Sequence, residues 1–197
     1  KRFSSRWRPR VRVIDEPLAG VLLLEPEIFS DERGFFMESY NRRRLTEFGI
    51  DQEFVQDNHS RSVRGVLRGL HYQLVHAQAK LVRVTRGRVF DVVVDIRRGS
   101  PTFARWAGIE LGEENRLMLY APAGFAHGFV TLTETAEFQY KCSDFYHARD
   151  ERGIIWNDPS LRIEWPLAGL DPMLSERDRV WPTLAETPEA DLPVYAP

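Results

Sequence analysis

Apolar residues recur at every second position through most of this chain, in short runs closed by turn-forming residues, and that alternation constrains the fold more than any other feature. Period two puts successive side chains on opposite faces of a strand, whereas a helix needs a period near 3.6. Strand-like runs cover Gly20-Leu24, Phe35-Tyr40, Glu53-Asn58, Val63-Tyr72, Lys80-Thr85, Arg88-Ile96, Phe103-Leu111, Leu117-Ala121, His127-Leu132, Glu137-Cys142 and Leu161-Trp165. Between them stand Arg86-Gly87, Gly99-Ser100-Pro101 and Pro122-Ala123-Gly124, residues suited to hairpin connections and corners. Only Asn41 to Phe48 reads as a helix, a short one. Many short strands with turns between them predict an all-β sandwich or barrel with a few short helices.

The strand signals run without a linker from Val11 to about Pro182, so residues 11–197 are expected to form a single domain. Its last dozen residues, with three prolines after Ala185, are expected to form a surface strap or tail. With 43% hydrophobic residues among 197, the chain can bury a sizeable core. The basic segment 1–10, with Lys1, Arg2, Arg6, Arg8 and Arg10, has no apolar stretch behind it and is expected to be a disordered arm rather than a secretory signal.

Charge excludes several functions. Lys and Arg total 27 against 29 Asp and Glu, so no global positive field exists to hold nucleic acid or an anionic membrane. No apolar run approaches the roughly 18 residues of a membrane-spanning helix. Cys142 is the single cysteine, which removes internal disulfides and four-cysteine zinc sites and fits a reducing cytoplasm.

Alternation also places polar groups inside. Arg88-Ile96 carries Phe90, Val92, Val94 and Ile96 on one face and Val89, Asp91, Val93 and Asp95 on the other, the pattern of a central strand. Lys80 shares parity with Val82 and Val84, which points an ammonium toward an apolar side. Either it snorkels to water or it is held to stabilise a developing oxyanion. Tyr140 shares parity with Phe138 and Cys142 and should send its hydroxyl inward, as a core tyrosine or as an acid. In Val66-Leu67-Arg68-Gly69-Leu70-His71-Tyr72-Gln73, Arg68 and His71 fall on opposite faces under strict alternation, unless a bulge at Gly69 re-aims one of them.

Pro122-Ala-Gly-Phe-Ala-His127 matches the P-x-G-x-x-H half of the cupin pattern and points to a cupin-type jelly roll. The partner half, an H-x-H pair, is absent. His71-Tyr72-Gln73 and then Lys80 occupy its place, and a protonated lysine cannot ligate a metal, so no catalytic metal is expected.

From about Val13 to Trp181 the chain closely resembles the dTDP-4-dehydrorhamnose 3,5-epimerase family. The resemblance rests on Phe29-Tyr40, Phe54-Ser60, Gly65-Gln73, Val89-Arg97, Gly99-Phe103, Pro122-Phe129, Tyr140-Asp144, Arg152-Pro159 and Leu174-Asp178, in that order. It implies a cupin-type jelly roll, a homodimer, no cofactor, and epimerisation at C3 and C5 of dTDP-4-dehydro-6-deoxy-D-glucose in dTDP-L-rhamnose biosynthesis. Position by position it implies His71 as the base, Asp178 as the carboxylate that orients it, Tyr140 as the opposing acid, and Lys80, with Arg68, as stabilisers of the enolate. Arg33, Phe36, Glu38, Gln56, Asn58 and Glu151 would contact nucleotide or sugar, with His127 and Asp91 nearby. Arg177 stands where the family usually shows lysine, and Leu74-Val75-His76 replaces a commonly proline-rich loop. Relatives of the same fold epimerise a single carbon, so a single-carbon epimerase or a ketoisomerase on another dTDP-4-keto-6-deoxy sugar is the alternative.

These residue types suit that chemistry. Removing a proton beside a ketone builds charge on the ketone oxygen, so a base and an oxyanion partner are both required. An imidazole with an ordinary pKa near 6.5 can accept the proton, and a phenol can return one to the opposite face.

Overall fold

The computed structural model describes residues 10–196, so the expectation of a disordered arm at 1–10 lies, but for Arg10, outside the described residues. The strands are β1 (Val11–Leu18), β2 (Val21–Pro26), β3 (Ile28–Asp31), β4 (Gly34–Met37), β5 (Gln56–Val63), β6 (Leu67–Gln73) and β7 (Lys80–Arg86). They continue as β8 (Arg88–Asp95), β9 (Trp106–Gly112), β10 (Met118–Ala121), β11 (Phe125–Thr131), β12 (Thr135–Cys142) and β13 (Glu151–Gly153). One short helix, α1 (Arg42–Thr46), falls inside the expected helical segment.

Two antiparallel sheets face each other, in the orders β1-β2-β10-β7-β12-β5 and β13-β6-β11-β8-β9, with β3 and β4 as a separate hairpin. This is the expected all-β jelly roll. The alternation explains why the sheets close on one another. Val82, Val84 and Phe138 from the larger sheet and Val89, Val93, Phe125 and Phe129 from the smaller bury into one cluster between them. Phe138 stacks on Phe129 with centroids 4.2 Å apart, an aromatic bridge across the two layers. The expectation for Arg88-Ile96 holds in detail: β8 lies between β11 and β9, and its second face packs Val92, Val94 and Ile96 under Ile154, Leu161, Leu184 and Leu192. On the outer face of the larger sheet, Leu45 of α1 and Ile50 cover Leu24, Leu81 and Met118.

Several strand expectations need correction. Leu161-Trp165 alternates in burial but pairs with no strand. Its side chains pack on the smaller sheet while its carbonyls turn to indoles and near neighbours, as in the Trp106 Nε1 bond to the Leu161 oxygen at 2.9 Å. One apolar face is enough to impose alternation without a ladder. Val63-Tyr72 breaks at Arg64-Gly65, where Gly65 takes a φ of +80°, so β5 ends and β6 begins there. The edge strand β1, with five exposed residues in a row at its centre, and the three-residue β13 lack the buried alternation that would reveal them.

Candidate active site

A cleft of about 410 Å³ opens beside the inter-sheet core, and β5, β6, β7, β11 and β12 send side chains into it. β6 supplies the decisive local irregularity. Against β11, His71 pairs with His127 and Arg68 with Phe129, so Gly69 and Leu70 together oppose the single residue Gly128. That extra residue is a bulge, and it brings Arg68 and His71 into one cleft although strict alternation would separate them. Only glycine fits at 69: its φ is +130°, and a Cβ there would lie 2.6 Å from the Gly128 Cα.

His71 Nε2 and Asp178 Oδ1 are 2.5 Å apart. Asp178 sits in the 3₁₀ turn Arg177–Arg179 and is 3% exposed. Burial pushes its carboxyl up, but the hydrogen bond and charge of His71, helped by Ser175 and Trp181, outweigh this and hold it below the usual carboxylate range. Trp181 also meets the His71 ring edge-on at 6.3 Å. Imidazole, carboxylate and indole therefore fix one another.

Lys80 opens β7 and lines the cleft on the parity expected of it, with Val82 and Val84 entering the core beside it. Burial pulls its ammonium below the ordinary lysine range, against the fields of Cys142, Asp91 and Glu151. It has no ion-pair partner among the described residues, and neither has Arg68, whose Nε bonds to Ser62 Oγ at 3.2 Å. Two cations without carboxylate partners make this cleft a receptor for negative charge. Tyr140 enters beside Phe138, as parity required, and burial pushes its phenol up to about 12.

Gln56, Asn58, His127 and Glu151 complete the residues that the sequence brought forward and the cleft contains. Gln56 Nε2 donates to Asn58 Oδ1 at 3.1 Å, and His127 is bound to the buried Asp91 at 2.9 Å. Glu151 accepts from the Tyr146 hydroxyl at 2.8 Å and from Arg177. Sequence reasoning passed over Ser60, Gln78, Tyr146 and Ser175 as cleft-lining residues and noted Arg177 only as a departure from lysine. Loop residues such as Tyr146 carry no periodic signal, but the parity of Ser60 with Asn58 and Gln56 on β5 could have found that one.

Arg33, Phe36 and Glu38 do not line this cleft. Arg33 lies at the β3-β4 turn bound to Asp31, Phe36 is half exposed on β4, and Glu38 holds Arg44 at 2.8 Å beside a second cavity of about 470 Å³. Among the described residues the metal-ligating group that comes together is His76, Asp144 and His147, and none of the three lines the cleft.

Residues 15–186 match the family model described as dTDP-4-dehydrorhamnose 3,5-epimerase. The chain is 61% identical over 160 residues to the dTDP-4-dehydrorhamnose 3,5-epimerase of Pseudomonas aeruginosa, covering 81% of this chain and 88% of that protein. Its fold superposes with a TM-score of 0.93, at 48% identity, on a 3,5-epimerase from Legionella pneumophila solved in complex with dTDP-4-keto-L-rhamnose, covering 95% of this chain and all of that one. A 3'-monoepimerase from Streptomyces bikiniensis solved with dTDP-quinovose gives 0.86 at 39% identity, covering 92% of this chain and 93% of that one. Taken with a cleft that joins an imidazole-carboxylate pair to a buried phenol and two unpaired cations, these likenesses show that the chain belongs to the dTDP-4-dehydrorhamnose 3,5-epimerase family and is an isomerase.

Proposed function

We propose that the cleft epimerises C3 and C5 of dTDP-4-dehydro-6-deoxy-D-glucose, giving dTDP-4-dehydro-L-rhamnose, in the cytoplasm and with no metal or organic cofactor in the chemistry. The observation that carries this reading is the His71-Asp178 pair in one cleft with Lys80, Arg68 and Tyr140.

His71 Nε2–H donates to Asp178, which leaves Nδ1 to take the proton from the carbon beside the ketone. Asp178 then faces an imidazolium and stabilises it. As the proton leaves, negative charge builds on the C4 oxygen, and Lys80 and Arg68 are the groups placed to receive it. Neither must first break an ion pair, so the stabilisation costs little reorganisation. Tyr140, kept protonated by burial, delivers a proton to the face opposite His71 and inverts the carbon. Gln56, Asn58, His127 and Glu151 orient the sugar, while Arg33, Phe36 and Glu38, which stand apart from this cleft, would contact the nucleotide held by a second copy of the chain.

The β3-β4 hairpin exposes Phe35 and Phe36, and edge strand β1 exposes Val13 and Ile14, apolar surface suited to a second copy of the chain. These faces support the reading of the chain as a homodimer, which light scattering on the purified protein checks. No helix among the described residues is long and apolar enough to cross a membrane, and the near-neutral charge balance gives no ground for a nucleic-acid partner.

Incubation with dTDP-4-dehydro-6-deoxy-D-glucose in D₂O tests the function. Deuterium at both C3 and C5 with inverted configuration is expected. Label and inversion at one carbon only would make this a single-carbon epimerase, and no label at either would overturn the reading.

A further inference from the structure

Two loops meet beside the cleft mouth, residues 74–79 between β6 and β7 and residues 143–150 between β12 and β13. They bring together His76, Asp144 and His147, with one ligating atom of each lying within 4.8 Å of the others. His76 Nδ1 is 3.3 Å from Asp144 Oδ2, and the two imidazole rings stack with centroids 3.5 Å apart. We propose that His76, Asp144 and His147 form a binding site for a divalent transition-metal ion of the zinc class, a structural clamp across the two loops, separate from the reaction centre.

The donor set carries the chemical class. Two imidazoles and one carboxylate suit zinc, cobalt or nickel rather than calcium or magnesium, which require mainly oxygen ligands. Bonds of about 2.0–2.1 Å in a tetrahedron set neighbouring ligands roughly 3.3 Å apart, the separation already present between His76 and Asp144. The ring planes differ by 12° and stack face to face, so capture of the ion turns one ring out of the stack until a nitrogen of each aims at the metal. Water fills the remaining position.

The surrounding bonds hold the ligands in place. Buried Gln73 donates to the backbone oxygens of His76 at 2.7 Å and Phe145 at 3.2 Å and accepts from the His147 N–H at 2.7 Å, so one amide ties both loops. Asp150 accepts from the backbone N–H of Val75 and of His76. Asp144 Oδ1 is engaged by the Phe145 N–H at 2.7 Å, which leaves Oδ2 turned toward His76. Fixed backbones and one committed carboxylate oxygen are the outer support that orients metal ligands. Because Gln78 and Tyr146 belong to the same loops and line the cleft, the ion would fix part of its wall.

Calorimetric titration of untagged, chelator-stripped protein with Zn²⁺ is the test, with Co²⁺ absorption reporting the ligand field. One ion per chain is expected, with a dissociation constant of roughly micromolar or tighter. His76→Ala and His147→Ala should each weaken binding by at least about 10–100-fold. His59→Ala, at an exposed histidine paired instead with Glu137, should leave it unchanged. Circular dichroism of each variant separates lost ligation from lost fold, and Zn²⁺ should raise the melting temperature of the parent but of neither loop variant. Absence of saturable binding, or equal affinity in the parent and both loop variants, would overturn the site.

Discussion

Replacing Tyr140 by phenylalanine separates proton removal from inversion. The substitution deletes one hydroxyl and keeps a ring that packs beside Phe138 at 5.8 Å, so the fold should lose no more than about 1.5 kcal/mol. Burial takes this phenol from 10.0 up to about 12, which favours the neutral form roughly a hundredfold over an exposed tyrosine, so the acid is fully protonated at any working pH. Its loss removes the donor on the face opposite His71 and leaves the His71-Asp178 pair whole. The enolate then regains its proton mainly from the base side, with the original configuration and a solvent label. Inversion should fall by about 10²–10⁴, or roughly 3–5 kcal/mol in barrier, while deuterium exchange falls much less. Mass spectrometry scores label and NMR couplings score configuration in one D₂O sample. The ratio of exchange to inversion should rise at least about tenfold over the parent and stay flat with pH across the neutral range. Parental inversion rates in Tyr140→Phe would refute the reasoning and leave Tyr140 as a core residue.

His71→Asn should abolish label at both carbons, a loss of about 10²–10⁴, with dTDP affinity nearly intact by calorimetry, since the nucleotide contacts are assigned elsewhere. Lys80→Met keeps the length of the stem and removes the charge, so it should lower kcat by about 10²–10³ with a smaller change in KM; a change in KM alone would make Lys80 a binding residue. Acid should weaken the fold through buried carboxylates. Asp95, Asp158 and Asp178 all lie below the ordinary value of 3.8 despite burial, because hydrogen bonds favour their charged forms. A depressed folded pKa gives stability that is complete above the unfolded value and is lost as pH falls through the folded one, so denaturant midpoints should begin to drop as pH approaches the ordinary value of 3.8 and go on dropping below it. Asp178→Asn should flatten that slope in part, and an unchanged slope would contradict the assignment.

Much of the interior was legible in the alternation. Lys80 with Val82 and Val84, Tyr140 with Phe138, and both apolar faces of β8 follow from period two alone, because a strand fixes the side of each residue without reference to its neighbours. The same rule misled at Leu161-Trp165, where packing on one face imitates a strand that has no ladder.

What the sequence by itself determined, then, is which side chains turn inward and where the chain turns. Tertiary structure decided which of them meet. The bulge at Gly69 and Leu70 exists only in the register of β6 against Gly128, and it alone puts Arg68 and His71 in one cleft. Asp178 reaches His71 across 107 positions, and Gln73 ties the loop that follows it to one 72 to 74 positions away. The hairpin with Arg33 and Phe36 is local and readable, yet only the assembled sheets show that it stands apart from the cleft. The physical reason is range: backbone parity and turn chemistry act over a few residues, whereas burial, hydrogen-bond partners and the field at a titrating group are set by strands and loops that become neighbours only when the sheets close.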